Sequence, residues 1–452
     1  MDTVITLTDK VAAFGDKTAF WYDGRTISFR DFLDIKNALA DELAACGIAK
    51  YDSVLVSGDI DPQTIALLLN CIELQFITVP HLRSNVQALA AREDIARVQW
   101  RLEADANGRL TCTRIPEAKS PPALYSEIAG RDSAGLVLFT SGSSGEPKAA
   151  VHDIAALLEK FERRRKALRT IGFLLFDHWG GLNTIFHTLF NGGELVCLTD
   201  RAPSEICRLI ETTKAELLPV SPSFLNMLLA SREYEKWDLS SLSVVSYGAE
   251  PMAQHTLDKV REILPSVTVK QTYGLIELGV FPTRSSNESS LYFQIDAKSA
   301  QYRIVDGMLQ LKTAGAMLGY INAPSPFTED GWFVTGDQVE VRGDEIRILG
   351  RKTEIINVGG EKVYPSEVEA VLVGLDGVVD ALVYGEDNFL LGNIVCAEIY
   401  GESDMAPQDY EAYVKQACRK NLEEFKVPVK LTVVDRPLHG DRLKKSRLRT
   451  TC

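Results

Sequence analysis

The stretch LVLFTSGSSGEPKAAVHD, residues 136–153, decides how this chain is read. Leu136 to Phe139 is a continuous apolar run, the pattern of a strand covered on both faces. It leads into Thr140-Ser141-Gly142-Ser143-Ser144-Gly145. Glycines there let backbone N–H groups converge on an anion, and the small hydroxyls add donors. Lys148 brings a positive charge three residues after Gly145. Ile154, Leu157, Leu158 and Phe161 then recur at helical spacing, with Asp153 placed to cap that helix. The unit reads as a phosphate-holding loop between a strand and a helix. It is not a P-loop: Pro147 precedes the lysine and Ala149 follows it, so the hydroxyl that would meet Mg²⁺ is missing. The dinucleotide pattern G-x-G-x-x-G is absent as well. A plain Gly/Ser surface loop is the competing reading.

Outward from this loop, strand-length apolar runs alternate with helix-period segments. Ser53 to Ser57, Phe76 to Pro80, Ser243 to Tyr247 and Val267 to Lys270 read as strands, and Pro62 to Leu74 and Thr256 to Ile263 as helices. This alternation predicts layered β-α-β units around parallel sheets. From about Gly331 the pattern changes. VEVRGDEIRILG predicts a hairpin with Gly343-Asp344 at its turn. A helix is expected from Pro365 to about Val373, a strand from Ala381 to Tyr384, a helix from about Gln408 to Phe425 and a strand from Val429 to Val434. The fold class is therefore α/β: a large N-terminal domain of parallel-rich sheets and helices, residues 1–349, with a small mobile α+β domain, residues 350–452. No Pro/Gly/Ser-rich tract joins them, so the connection is expected to be a short hinge.

Composition removes whole classes. With 452 residues, 45% hydrophobic and 25% charged, the chain is of ordinary globular make-up. Basic residues number 49 against 62 acidic, a net charge of −13, which argues against general nucleic-acid binding. No run of about 18 apolar residues predicts a membrane span. MDTVITLTDK lacks the pattern of a secretory signal. The eight cysteines form no C-x-x-C pair and the six histidines no H-x-x-x-H pair. Free thiols in a reducing cytoplasm are expected, with neither a zinc site nor a disulfide frame. No H-R-D-type loop supports a kinase.

Four further segments carry chemistry. QTYGLIELG, residues 271–279, follows a strand, where open α/β sheets place ligand loops. SYGAEPM, residues 246–252, also follows a strand. In GWFVTGDQVE, Asp337 offers a carboxylate able to accept from both hydroxyls of a ribose, though an aspartate after glycine is commonly only a turn residue. In GRKTEIINVGGEKVYPSEVE, Gly359 and Gly360 allow close backbone approach, with a simple glycine turn as the competing reading. DRLKKSRLR, residues 441–449, is a basic run that reads otherwise as a solvated tail.

TSGSSGEPK resembles the signature loop of the adenylate-forming, or AMP-binding, superfamily of acyl-CoA synthetases, peptide-synthetase adenylation domains and luciferases. The likeness covers nearly the whole chain, with a compressed stretch between about Leu82 and Gly130. It implies ATP-dependent conversion of a small carboxylic acid to acyl-AMP, assisted by Mg²⁺. Transfer to a thiol follows, either CoA or the phosphopantetheine of an acyl carrier protein. By resemblance, Thr140, Ser141, Gly142, Ser143, Ser144, Gly145 and Lys148 hold phosphates. Tyr273 stacks on adenine, with Thr272 and Gly274 beside it, and Glu277 binds the metal. Gly248, Ala249 and Glu250 line the nucleotide side, Asp337 and Arg351 the ribose. Thr353 marks the hinge, and Gly359 and Gly360 meet the thiol arm. Lys444 is the catalytic cation, with Arg447 completing a Lys-x-x-Arg spacing and Arg442 a rival alignment. His178 and Trp179 border the acyl pocket. The family places Thr or Ser directly before the metal-binding glutamate; here it is Ile276. That departure keeps a catalytically impaired nucleotide-binding or scaffold homologue open, beside an amino-acid-activating protein. GGEKVYPSEVE resembles acyl-CoA synthetases more than peptide-synthetase domains.

Overall fold

The computed structural model describes residues 9–116, 119–141, 146–287, 289–401, 405–438 and 447. Two seven-stranded sheets form the large N-terminal part. One runs Thr268–Gln271, Val244–Tyr247, Leu217–Val220, Arg169–Ile171, Glu194–Val196, Thr18–Tyr22, Arg25–Ser28, parallel except at its last pair. The other has Ser53–Gly58 and Ile77–Leu82 at its parallel centre, with antiparallel pairs toward both edges. Ser53–Gly58 is buried at every residue, which is why its sequence is apolar without alternation. The helix Pro62–Glu73 is apolar all round for the same reason: every residue from Pro62 to Ile72 is buried, and Asp61 caps it by accepting from the Thr64 amide.

An antiparallel four-stranded sheet follows, Gln301–Val305, Met308–Lys312, Phe333–Arg342, Glu345–Arg351. Its last pair turns at Gly343-Asp344 as expected. Val339 and Ile346 still pack into the large N-terminal core. From Ile356 onward the buried residues form a separate core, built on Glu361–Val363, Ile356–Val358, Gly392–Gly401 and Val378–Asn388, with Lys430–Val434 parallel to Gly392–Gly401. Helices Pro365–Val373 and Pro407–Asn421 cover it. The large-plus-small α/β architecture expected from the sequence is present.

Three local expectations are revised. The helix capped by Asp153 is present as expected, but a strand not read from the sequence precedes it. The chain first returns as the antiparallel strand Pro147–Asp153, and only the short helix Ile154–Leu158 follows, capped by Asp153. The strand expected at Ala381 to Tyr384 is one arm of a long hairpin, Val378–Asn388 with Gly392–Gly401. The last long helix stops at Asn421, with a separate 3₁₀ turn at Glu424–Lys426. Among the described residues no helix is long and apolar enough to cross a membrane. The seven described cysteines are free.

Candidate active site

The strands that flank the signature loop form an antiparallel pair. Gly135–Ser141 pairs antiparallel with Pro147–Asp153, which sets Thr140 opposite Lys148. Gly142, Ser143, Ser144, Gly145 and the Ser141 side chain lie outside the described residues. Lys148 leaves its strand with Nζ 5.6 Å from the centre of the Tyr320 ring, within cation–π range. The Tyr320 hydroxyl in turn donates to Glu277 Oε1 at 2.6 Å. Burial, then the Glu277 charge, raise the Tyr320 pKa, so the hydroxyl keeps its proton at neutral pH.

Glu277 stands in a three-residue turn between the strands Tyr273–Leu275 and Gly279–Phe281. QTYGLIELG is thus a hairpin rather than a strand–helix turn, and it needs its glycine: a Cβ on Gly274 would fall 2.6 Å from the Gly279 carbonyl oxygen. No cluster of three or more His, Cys, Asp or Glu forms among the described residues. A single buried carboxylate beside a phosphate loop still fits Mg²⁺, which is commonly held by one or two carboxylates together with substrate phosphates.

A second linked group lies beside it. Tyr273 donates its hydroxyl to Asp337 Oδ2 at 2.6 Å, and Arg351 Nε meets Asp337 Oδ1 at 2.8 Å. Asp337 and Arg351 face each other across adjacent strands, which is the structural basis of their sequence spacing. Thr335 adds its hydroxyl as acceptor for the Asp337 amide, and its carbonyl accepts from Arg351 Nη1. Burial and the neighbouring Asp337 raise the Tyr273 pKa well above the usual phenol range. Each Asp337 oxygen has a fixed partner and retains further acceptor capacity, as a carboxylate has about four lone-pair positions.

SYGAEPM follows the strand Val244–Tyr247 and is tightly held. A Cβ on Gly248 would sit 2.5 Å from Thr272 Oγ1. Ala249 adopts φ +70°, a left-handed conformation that costs a non-glycine residue about 1–2 kcal/mol. Glu250 accepts from Ser223 Oγ at 2.6 Å, in the first turn of Pro222–Ser231. The Thr272 hydroxyl bonds to the Tyr247 carbonyl at 3.0 Å. Ile276 is buried. Behind it lies His152, fully buried on the returning strand; burial lowers its pKa to about 3, the Ile276 backbone opposing only in part.

His178 caps the helix Trp179–Phe190, Nδ1 accepting from the Gly180 amide at 3.1 Å. That bond assigns the ring proton to Nε2 in the neutral form. Trp179 is buried in the core, and a Cβ on Gly279 would come within 2.9 Å of its Nε1. Three groups here had no sequence signal. Asp177 accepts from Arg92 at 2.9 Å, both buried, with His81 Nδ1 3.2 Å from the same guanidinium nitrogen. Tyr320 lies in a segment without hydrophobic period. Lys160 carries no motif in the sequence, yet its Nζ bonds Asn183 Oδ1 at 2.5 Å and the Val280 carbonyl at 3.2 Å.

In the small domain, Gly359 and Gly360 form a two-residue turn between Ile356–Val358 and Glu361–Val363, with φ +61° and +98°. No atom lies within 4 Å of a Cβ built on Gly360. Thr353 sits in a 3₁₀ turn, Lys352–Glu354, directly after the four-stranded sheet. Lys444 and Arg442 lie outside the described residues. Arg447 is described: its guanidinium meets Glu354 at 2.7 Å and both oxygens of Glu369 at 2.8 and 2.9 Å.

Residues 83–316 match the family model for AMP-binding enzyme, and residues 367–445 that for the AMP-binding enzyme C-terminal domain. The chain is 24% identical over 452 residues to 2-succinylbenzoate–CoA ligase of Listeria monocytogenes, covering 93% of each chain. It is 24% identical to 4-coumarate–CoA ligase 4 of Arabidopsis thaliana, over 76% of this chain and 67% of that one. Among solved structures, the anthranilate CoA ligase AuaEII with anthranoyl-AMP superposes with TM-score 0.81 at 17% identity, covering 98% and 95% of the two chains. o-Succinylbenzoate CoA synthetase of Bacillus subtilis with its acyl-adenylate superposes with TM-score 0.75 at 19% identity, covering 98% and 96%. The first family model spans more than half the chain, the second its C-terminal part, and the chain belongs to the AMP-binding enzyme family.

Proposed function

We propose that this protein is an AMP-forming acid–thiol ligase. It activates a carboxylic acid with ATP to acyl-AMP and pyrophosphate, then passes the acyl group to CoA. The observation that carries the reading is the link Lys148–Tyr320–Glu277 beside Tyr273–Asp337–Arg351. One group sets a cation, a phenol and a carboxylate where triphosphate and metal would sit. The other sets a doubly anchored carboxylate where a ribose would sit. The two relatives named above are CoA ligases, which favours CoA over a carrier protein as acceptor.

A carboxylate is a poor acyl donor because its leaving group is bad. Attack of the acid oxygen on the α-phosphorus breaks the bond to pyrophosphate and leaves a mixed anhydride. Thiolate attack on its carbonyl then expels AMP. The protein's share is positioning and charge stabilisation. Lys148 and the signature loop hold the β- and γ-phosphates, Asp337 and Arg351 fix the ribose, and Glu277 carries Mg²⁺. The metal supplies charge neutralisation on the phosphates. Lys444 approaches the α-phosphate in the first step. The small domain, residues 350–452, turns about Thr353 for the second, bringing Gly359 and Gly360 to the site. The change of core between Ile348 and Ile356 supports that boundary. Arg447, clamped by Glu354 and Glu369, fixes the chain three residues from Lys444.

Acid-dependent ATP–pyrophosphate exchange across short, long-chain, aromatic and amino acids tests the reading. Exchange with one class establishes adenylation. ATP binding without exchange for any acid would instead leave a nucleotide-binding homologue.

A further inference from the structure

The helix Val86–Ile95 is anchored by a charge rather than by an apolar stripe. Val86 is exposed, Leu89 and Ile95 are partly buried, and Arg92 is the one buried residue of the helix. Arg92 Nη1 donates to Asp177 Oδ2 at 2.9 Å. His81 Nδ1, 3.2 Å from the same nitrogen, accepts as well, because a guanidinium has no acceptor to offer. Arg92 Cζ stands 5.1 Å from the centre of the Phe139 ring, within cation–π range. Asp177, His81 and Phe139 are buried with it. Burial, then the Arg92 charge, lower the His81 pKa to about 4, so the ring stays neutral beside the guanidinium.

Stability does not account for this pair. Replacing a buried ion pair by apolar side chains of similar volume is commonly neutral or stabilising, because both charges must leave water. What an arginine adds is direction: its planar fork orients the partner and its flat face stacks on a ring. The partners of Arg92 lie on separate segments. His81 stands one residue from the end of the strand Ile77–Leu82, and Phe139 two residues from the end of Gly135–Ser141. These neighbouring strands run parallel, and open α/β sheets place ligands beyond the carboxyl ends of such strands. Phe139 precedes Thr140, which faces Lys148 across the antiparallel pair. Asp177 precedes His178, whose ring caps the helix Trp179–Phe190. One side chain thus ties the strand that carries the phosphate loop to the turn that enters this helix.

Resting on the acid–thiol ligase reading, in which His178 and Trp179 border the acid, we propose that Arg92 is a positioning residue for adenylation. Through Phe139 and Asp177 it holds the phosphate-loop strand and the acid-side turn in the relation that brings the acid oxygen to the α-phosphorus. It acts through these neighbours and touches neither substrate. A displacement of about 1 Å between reacting groups can cost on the order of 10²-fold in rate, so a link at one remove is sufficient.

The test uses the double variant Arg92→Met/Asp177→Leu, which removes both charges of the pair together. ATP–pyrophosphate exchange is measured on the full chain with acetate, hexanoate, benzoate and succinate, beside the melting temperature. The double variant is expected to melt near the wild type and to lose about 10- to 100-fold in kcat for the acid that exchanges fastest, with the KM for ATP held. Arg92→Lys keeps the charge beside Asp177 but not the flat face over Phe139. It carries the test if the double variant does not fold, with a loss in kcat of about threefold or more expected. Unchanged kcat in the folded variant makes the pair structural only; this overturns the proposal and leaves the ligase reading standing. A rise in KM at unchanged kcat assigns the pair to binding and overturns it too. If the wild type exchanges with no acid of the panel, the ligase reading falls and hydrogen exchange decides the link. Amide protection lost together in residues 136–141 and 174–180 of the variant keeps Arg92 as the tie between them, and protection lost in one segment alone overturns it.

Discussion

The two halves of the active site are held in opposite ways. In the large domain each proposed functional carboxylate is already anchored by a tyrosine hydroxyl, Glu277 by Tyr320 and Asp337 by Tyr273, and Asp337 by Arg351 as well. In the small domain the glycine turn touches little, and Arg447, among the described residues, is clamped by two glutamates. A group that stabilises developing charge gains from being preorganised, whereas a group that arrives and leaves must be secured to its own domain and free of the other. On this view, damage to the first region harms adenylation selectively, and damage to the glycine turn harms thiol transfer.

The largest expected effect is at Glu277. Glu277→Gln keeps the shape and an acceptor for Tyr320 but removes the charge, and exchange should fall by about 10²–10³-fold. Thioester formation from presynthesised acyl-AMP should change far less; equal losses in both would erase the contrast. Next comes Glu369→Gln. It weakens the Arg447 clamp and lets the segment bearing Lys444 drift. A displacement of about 1 Å can cost on the order of 10²-fold, so exchange should drop by about 10- to 100-fold while ATP affinity holds. Unchanged exchange would show that Arg447 does not position that segment. Smaller again is Gly360→Val. With φ +98° and no atom near its Cβ, the penalty is backbone strain of about 1–3 kcal/mol, not a clash. Thiol transfer should slow roughly tenfold with exchange intact, the mirror image of Glu277→Gln.

How much of this contrast the sequence already displayed depends on what kind of signal each part leaves. Parallel strands buried on both faces announce themselves as apolar runs, so Ser53–Gly58 was legible; Val244–Tyr247, which alternates half-buried and buried, was legible from its β-branched residues. Motif residues with fixed spacing, Asp337 with Arg351, were legible because the chain must bring them across one hairpin. The returning strand Pro147–Asp153 was not: two alanines, a valine and a buried histidine carry no period. Gly392–Gly401 was hidden because Glu398, buried near its centre, interrupts the apolar run that burial on both faces otherwise leaves. Tyr320 and Lys160 act through contacts distant in sequence, and a single polar residue leaves no local pattern. Ala249 at positive φ is invisible where glycine would have been a clue.

The smallest effect concerns acid. His152, behind Ile276, is buried in the neutral form with its pKa lowered to about 3, below the ordinary value near 6.5. His81 and His187 are lowered to about 4, chiefly by burial. All three lie in the large domain; the small domain's single histidine, His439, lies outside the described residues. For a group whose folded pKa is depressed, the stability it contributes is present above the unfolded pKa. It is lost as pH falls from about 6.5 toward the folded value, because only the unfolded chain takes up the proton. At pH 5 His152 alone should cost about 2 kcal/mol relative to pH 7, from about 1.4 kcal/mol per pH unit. In a domain of some 350 residues, at about 2.1 cal/mol/K each, that is a fall of about 2–3 °C in the melting temperature. His152→Leu should remove its own share of the acid shift in the large-domain transition, leaving the shares of His81 and His187, whatever it does to stability at pH 7, and leave the small-domain transition where it was. A melting curve in which both transitions move together with pH, in the wild type and in His152→Leu alike, would mean that the acid response belongs to net charge rather than to these buried rings, and that the rigid half of the site is not the acid-sensitive half.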